Sequence, residues 1–316
     1  MSIYLDNSAT TRPCDAAVEQ MLHAMREDFY NPSALYAPAM GPAKMMKECR
    51  EMILQSVHAP AGSKVVFLSG GTEADNLVIL GKGKKCREKR ILYSAGEHPA
   101  VKEACQAVEG SQALAIPYTR DGLVNLAALE DMMDESVALL CVMQVNNETG
   151  AIQPLEQIGE MKRRLCPDAH FHVDGVQGYL RVPFDMRRAG ADSYALSGHK
   201  IHAPKGIGAL VMAPHVQVNP RQVGGGQESM IRSGTENTPG IAGLKAAIEA
   251  FPKAHAMQQV KMHLYRGLME IIPGAAVNGP APDGENAAPH ILNMSLPPVR
   301  SETMLHALEG KGIFVG

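Results

Sequence analysis

The sequence predicts an α/β fold with a mostly parallel sheet covered by helices. Short apolar segments without polar alternation recur along the chain, as expected for strands that are buried on both faces. These segments are KVVFLS, RILYSA, ALLCVMQV, HFHVD, SYALS and IGALVMA. Segments with helical periodicity separate several of them, and such alternation of strands and helices is typical of a parallel sheet.

The predicted helices follow from apolar spacing and from capping residues. Near the N-terminus apolar residues recur at helical spacing, and Asp15 is the predicted N-cap. The members of this stripe are Val18, Met21, Leu22, Met25 and Phe29. A second helix is predicted over GPAKMMKECREMILQSV. The helices between the strands are predicted over EADNLVILGKG, PAVKEACQAV, NLAALEDMMD and LEQIGEMKRRL.

The pattern changes after RSGTENTPG. A long helical stretch runs from Ile241 to about residue 272 and is interrupted at Pro252. The segments AAVNG, HILNMSL, SETMLHALEGKG and IFVG then read as short strands and a helix. We therefore predict a large domain over residues 15–250 and a smaller α+β domain formed by residues 1–14 and 251–316.

Composition excludes several classes of protein. The 316 residues are 45% hydrophobic and 20% charged with a net charge of −3, so we expect neither a nucleic-acid partner nor a membrane partner. The N-terminus lacks the basic and apolar regions of a secretory signal. Six scattered cysteines without a C-x-x-C pair indicate a reduced, cytoplasmic protein.

Polar residues follow five of the predicted strands, in the segments GGTEADN, GEHPA, NNETG, GVQG and GHK. In open α/β sheets ligands bind beyond the carboxyl ends of the strands. The sequence therefore predicts a binding site at this edge of the sheet. In the first segment Gly70 and Gly71 allow a sharp turn, and Thr72 can cap a helix whose N-terminus would bind phosphate. A plain strand-to-helix turn is the alternative.

The segment HFHVDG carries three potential metal ligands on one strand face, His170, His172 and Asp174. Zinc sites rarely take three ligands from one strand, so we predict no metal here. A carboxylate at the strand end has a better use as the partner of a protonated cofactor ring nitrogen, which is the interpretation we adopt for Asp174.

Two further residues complete a candidate constellation. His98 precedes Pro99 at a predicted helix start, where it either caps the helix or stacks on a planar cofactor and exchanges protons. Lys200 follows SGH at a strand end, whereas Lys205 lies in the turn to the next strand. A phosphate-binding helix start, a stacking histidine, a carboxylate and a strand-end lysine together indicate a pyridoxal phosphate site.

At this point the sequence resembles a known family. The segments YLDNSATT, SGGTEADN, EHPAV, VNNETG, HVDGVQ, SGHKIHAPKGIGAL and RSGTEN are similar to the motifs of the group I cysteine desulfurases, the NifS/IscS-like enzymes. These are pyridoxal phosphate enzymes of fold type I in the class V aminotransferase group. The resemblance runs from Tyr4 to the last residue, and the motifs occur in order.

The resemblance implies roles for matching residues around the cofactor ring. Lys200 matches the lysine that binds pyridoxal phosphate covalently. Asp174 would keep the ring nitrogen protonated, and Gln177 would hydrogen-bond the phenolic oxygen. His98 would stack on the ring and move protons. Asn147 matches the asparagine near the ring and the substrate carboxylate.

The resemblance also implies a phosphate site and an oligomer. Gly71, Thr72, Ser197 and His199 match phosphate-binding positions. Thr235 matches a threonine that the partner subunit contributes, so we expect a homodimer with shared sites.

The implied activity is removal of sulfur from L-cysteine, giving alanine and a persulfide on a mobile cysteine. The sulfur would pass to an acceptor such as an iron–sulfur scaffold or a tRNA-thiolation relay.

The sequence departs from the family at its end. The family's nucleophilic cysteine follows ALEGKGIFV, but no cysteine occurs after Cys166, and the C-terminal arginine for the substrate carboxylate has no counterpart. We therefore expect the C-terminal part of the small domain to be missing and this chain to be inactive in persulfide formation. Two alternatives stay open: a selenocysteine lyase or other β-eliminating enzyme, and a non-catalytic cofactor-binding remnant that acts as a docking partner.

Overall fold

A seven-stranded sheet forms the centre of the computed structural model, which describes residues 2–252 and 254–316. Its strands, in spatial order, are β2 (Lys64–Leu68), β8 (Gly208–Met212), β7 (Ser193–Ser197), β6 (His170–Asp174), β5 (Val137–Met143), β3 (Arg90–Ser94) and β4 (Gln112–Ile116). All neighbours pair in parallel except β8, which is antiparallel to β2 and β7. The predicted α/β class with a mostly parallel sheet is confirmed.

The helices are α1 (Asp15–Arg26), α2 (Met40–Ser56), α3 (Gly71–Gly81), α4 (Gly83–Cys86), α5 (Pro99–Gln106), α6 (Leu126–Met132), α7 (Leu155–Leu165), α8 (Met186–Ala189), α9 (Thr238–Glu249), α10 (Ala254–Ile271) and α11 (Ser301–Glu309). Among them, α2 to α6 contact strands of this sheet. Successive strand residues enter different apolar clusters: Leu92 and Leu140 belong to one, Ile91 and Leu139 to another. Both faces of the sheet are therefore buried, which explains why the strands lack polar alternation.

Short strand pairs lie outside the central sheet. β1 (Ile3–Tyr4) pairs in parallel with β11 (Ile313–Phe314), and β9 (Ala276–Val277) pairs antiparallel with β10 (Met294–Ser295). The first strand of the chain thus lies beside the last one. The division into domains at residues 15–250 and 1–14 plus 251–316 stays a prediction.

The prediction for the start of α1 was wrong by one position. Cys14 is the N-cap residue and makes no side-chain capping bond, while Asp15 is the first helical residue, where its charge favours the N-terminus. The apolar stripe also faces outward, since Val18, Leu22 and Met25 are exposed. The helix buries its small residues Ala17 and Ala24 instead, because that face packs against α9.

Strand β4 was not anticipated. Its sequence QALAI lies at the edge of the sheet and only its last residue is buried, so it lacks the continuous apolar character of the inner strands. In the part of the chain that the structure describes, no helix is both long and apolar enough to cross a membrane.

Candidate active site

Lys200 lies against the N-terminal segment. β7 ends at Ser197, and a short 3-10 helix over Gly198–Lys200 turns the chain. The Lys200 amine donates hydrogen bonds to the carbonyl oxygens of Ser8 and Ala9, the latter at 2.8 Å. The lysine is thereby held at the sheet edge, and Lys205 is exposed in the next turn.

The surroundings of Lys200 favour its uncharged form. Burial lowers the pKa of its amine, and the positive charge of Arg181 lowers it further, whereas Asp174 and Asp6 act in the opposite direction. A depressed amine pKa makes a lysine a better nucleophile and base near neutral pH. The geometry and the charge distribution therefore suit a reactive lysine.

Asp174 ends β6 and is buried. Its Oδ1 atom accepts a hydrogen bond from the Val176 amide at 2.9 Å. Burial, followed by the negative charge of Asp75, raises the pKa of its carboxyl to about 7. The chain turns directly after it at Gly175, where a Cβ atom would lie 1.8 Å from Cζ of Tyr194. A glycine is therefore required for the turn that follows this carboxyl.

Gln177 shares an acceptor with Lys200. Its Nε2 atom donates to the Ser8 carbonyl at 2.7 Å, and its Oε1 atom accepts from Nη1 of Arg181 at 3.3 Å. The amine of the lysine and the amide of the glutamine therefore converge on one carbonyl oxygen.

His98 is the N-cap residue of α5, and its Nδ1 atom accepts from the Ala100 amide at 3.1 Å. The residue is exposed. The capping interpretation is thus what the structure shows, and the capping bond fixes the ring at the same edge of the sheet. Its stacking role stays a prediction.

The residues that are predicted to bind phosphate lie where β2 and β7 end. A Cβ atom on Gly71 would lie 2.5 Å from Cγ2 of Val176 and 3.7 Å from Cβ of Ser197, so α3 begins in close contact with the strand ends. The N-cap of α3 is Gly70, and Thr72 is an exposed residue of its first turn rather than the cap. The free amide groups of such a helix start favour anions.

His199 joins this region to the N-terminal segment. Its Nδ1 atom lies 3.1 Å from Oγ1 of Thr10, and its carbonyl accepts from the amide of Thr11 at 2.8 Å. Burial, together with Lys200 and other cations, lowers the pKa of the imidazole to about 4, so the ring is neutral at neutral pH. It can therefore contribute a hydrogen bond to a phosphate without a charge.

Two of the predicted site residues form no side-chain hydrogen bond with this group within the described residues. Asn147 is half-buried in the turn after β5, and Thr235 is exposed. The loop that carries Thr235 is joined to α3 by an ion pair of 3.0 Å between Arg232 and Glu73. Thr235 is thus exposed in a loop that an ion pair ties to the first turn of α3.

The two strand histidines belong to a hydrogen-bonded chain. Nε2 of His172 lies 3.0 Å from Oδ1 of Asp75, and Nδ1 lies 2.8 Å from Oγ of Ser193, which also contacts His170 at 2.8 Å. Burial lowers the pKa of His172 to about 4. Among the described residues no group of three or more histidine, cysteine or acidic side chains is arranged to hold a metal ion.

The donor set fits pyridoxal phosphate. An amine of lowered pKa can bond to the aldehyde, a buried carboxyl can partner the ring nitrogen, and an amide N–H can approach the phenolic oxygen. A helix N-terminus beside Ser197 and a neutral His199 suits the phosphate. All of these groups lie at the carboxyl ends of β2, β6 and β7, the edge that the sequence predicts.

Comparison with known proteins gives the family. The model of the aminotransferase class-V family matches residues 3–316. The chain belongs to this family. Putative cysteine desulfurase IscS 1 of Bacillus subtilis is 35% identical over 322 residues, which cover 99% of this chain and 83% of that protein.

Solved structures agree with this assignment. A NifS-like protein is 32% identical, with a TM-score of 0.92, and the match covers 99% of this chain and 87% of that one. SspA in complex with cysteine is 30% identical, with a TM-score of 0.85, and the match covers 98% and 87%. The predicted resemblance and fold type are confirmed, and the family depends on pyridoxal phosphate.

Sequence reasoning missed several residues of the site. Ser8 contributes only its carbonyl oxygen, so no side-chain pattern marks it, although YLDNSATT is one of the family motifs. Arg181 reads as a surface charge in the sequence but is 3% exposed. Asp75 reads as part of a polar helix start but is fully buried against His172.

The raised pKa of Asp174 predicts a pH-dependent effect of Asp174→Asn. In the cofactor-free chain the carboxyl is neutral in both states below its unfolded pKa of about 4. Between that value and about 7 only the unfolded chain releases the proton, so Asp174 lowers stability as pH rises. Asp174→Asn should therefore raise the free energy of unfolding at pH 8 and leave it nearly unchanged at pH 4, as measured by urea unfolding.

Asp168→Asn, at an exposed position, is the matched control and should show no such difference between the two pH values. An equal effect of Asp174→Asn at both pH values would contradict the assignment of a costly buried carboxylate.

Proposed function

We propose that this chain is a pyridoxal phosphate-dependent cysteine desulfurase, which removes sulfur from L-cysteine and releases L-alanine. The observation that carries the proposal is the convergence of Lys200, Asp174 and Gln177 at the carboxyl edge of the sheet. Support comes from the relatives, which are named cysteine desulfurases and match nearly the whole chain at about 35% identity, and from SspA, whose structure contains cysteine.

The chain's own residues divide the work. Bound pyridoxal phosphate supplies an electron sink for the bond that breaks at Cα. Lys200 takes the Cα proton on Nζ, which the lowered pKa of its amine favours. Asp174 would hold a proton at the ring nitrogen. Gln177 would donate a hydrogen bond to the phenolic oxygen, and His98 would cover the ring and move protons.

The phosphate would be bound by Gly71, Thr72, Ser197 and His199. Thr235 of a second copy would complete this group, so the active form is proposed to be a homodimer. The exposure of Thr235 and its connection to α3 through Arg232 support this arrangement. Asn147 is proposed to contact the substrate carboxylate.

The cysteines of this chain are poor candidates for the thiol that attacks the substrate sulfur. All six are free thiols, and five of them are buried. Burial raises the pKa of Cys49 to about 12 and that of Cys86 to about 11, which disfavours the reactive thiolate. We infer that none of them forms the persulfide and that sulfur leaves on another thiol. The proposed acceptor is a sulfur carrier such as an iron–sulfur scaffold or a tRNA-thiolation relay, and the free thiols support a cytoplasmic location.

The test of this function is L-alanine formation from L-cysteine with a small thiol as acceptor. Sulfur then leaves as RSSH from RSH, so the atoms balance. Lys200→Ala should abolish both the alanine product and the visible absorbance band of the loaded protein, because the amine that binds the cofactor is lost. Lys205→Ala, the matched control in an exposed turn, should keep both. Alanine formation at the normal rate by Lys200→Ala would reject the proposal.

The shared site predicts complementation between two variants. Thr235→Glu would bring a carboxylate against the phosphate and should weaken cofactor binding in its own homodimer by like-charge repulsion. Mixed dimers of Thr235→Glu with Lys200→Ala would contain one site that carries both changes and one site that carries neither. Alanine formation should therefore reappear when the two chains are co-expressed.

As the control, the two chains are purified separately and then mixed at a concentration that prevents exchange of subunits. Failure of co-expressed, physically mixed dimers to regain activity would show that Thr235 does not act across an interface.

A further inference from the structure

Arg181 is a buried cation that pairs with no carboxylate among the described residues. Only 3% of the residue is exposed, and its hydrogen-bond acceptors within the described ranges are Oε1 of Gln177 and the backbone carbonyl of Lys200. Its Nε atom is buried and has no partner in the same part of the chain. A charge that is buried without an opposite charge is costly, and such groups occur preferentially at functional sites.

The first contact of Arg181 determines which way the Gln177 amide points. A guanidinium has only donors, so the atom of Gln177 that faces it must be the oxygen. On the other side of the amide the Ser8 carbonyl can only accept, so the Nε2 donors must face it. Reversing the amide would oppose donor to donor and acceptor to acceptor. Arg181 therefore directs the N–H groups of Gln177 toward the Ser8 carbonyl oxygen, to which the Lys200 amine also donates.

The second contact acts on the lysine. Arg181 donates to the carbonyl of Lys200 at the end of the 3-10 helix. The charged groups that face the Lys200 amine are Arg181, Asp174 and Asp6, and Arg181 is the cation among them. The neighbouring rings of His199 and His290 are neutral at neutral pH, because burial lowers the pKa of both imidazoles. Arg181 is thus the source of positive charge beside the amine.

We propose that Arg181 is a positioning residue of the active site. It orients the Gln177 amide together with the Lys200 backbone, and its own positive charge disfavours protonation of the nearby Lys200 amine. The planar fork of arginine reaches two oxygen atoms at once, which the single ammonium of lysine does not do equally well. The inference rests on the proposed function only where it assigns Lys200 and Gln177 to the cofactor.

The effect on the amine is tested in the full chain without cofactor, by the rate at which an amine-specific reagent modifies Lys200, followed by peptide mass spectrometry across pH. Arg181→Met should raise the pH at which Lys200 reacts and slow its modification at pH 8 about threefold to tenfold, as half to one pKa unit implies. Arg181→Lys keeps the charge and should restore the parental profile. An unchanged profile in Arg181→Met would overturn the proposal.

The effect on the amide is tested in the cofactor-loaded chain by the dissociation constant of pyridoxal phosphate. Gln177→Ala and Arg181→Met should each weaken binding about threefold to tenfold, the range expected for one hydrogen bond. The double variant should bind more tightly than the product of the two single effects predicts, because part of the effect of Arg181 acts through Gln177. Effects that multiply in the double variant would overturn this part of the proposal.

Arg187→Met is the matched control, because Arg187 is an exposed arginine of α8 paired with Asp185, and it should change neither measurement. Modification of Lys200 in the cofactor-free chain does not depend on the proposed desulfurase activity. A failure of the proposed function would instead appear in the unsubstituted chain, as a loaded protein that forms no alanine from L-cysteine.

Discussion

The active-site edge depends on one backbone acceptor, the carbonyl oxygen of Ser8. It accepts from the Lys200 amine and from the Gln177 amide, which come from the ends of two different strands. The N-terminal segment that carries it is fixed by Thr11, which bonds the carbonyl of His199 and the amide of His202. Without this segment the two donors would have no common target, and the amine would face solvent.

At this edge of the sheet the protein buries several carboxyl groups that cannot all be ionised at the same time. Burial raises the pKa values of Asp75, Glu97 and Asp174, and Glu97 is further raised by the charge of Asp174. Among the described residues, the base that bonds one of these carboxyls is His172, which shares a hydrogen bond with Asp75. A bound cationic ring nitrogen would supply the missing counter-charge for Asp174.

The fold could be predicted from the sequence because its strongest signal is apolar strands separated by helices. Edge strand β4 was not predicted, because a half-exposed strand lacks a continuous apolar sequence. The apolar stripe of α1 does not mark the buried face of the helix. The helix buries alanines against α9 and leaves its larger apolar side chains exposed. Lys200, Asp174 and His98 could be chosen because they follow strand ends. Arg181 and the Ser8 carbonyl could not, because burial of a charge and use of a backbone atom leave no trace in residue type.

We propose that the cofactor bonds to the Lys200 amine, which donates a hydrogen bond to the Ser8 carbonyl oxygen. This bond is tested by borohydride reduction of the cofactor-loaded chain, followed by proteolysis and mass spectrometric mapping of the pyridoxyl group. We expect a single modified residue, Lys200, in the peptide that contains SGHK. Modification at Lys205 or at another lysine, or a loaded chain in which no lysine is modified, would contradict it.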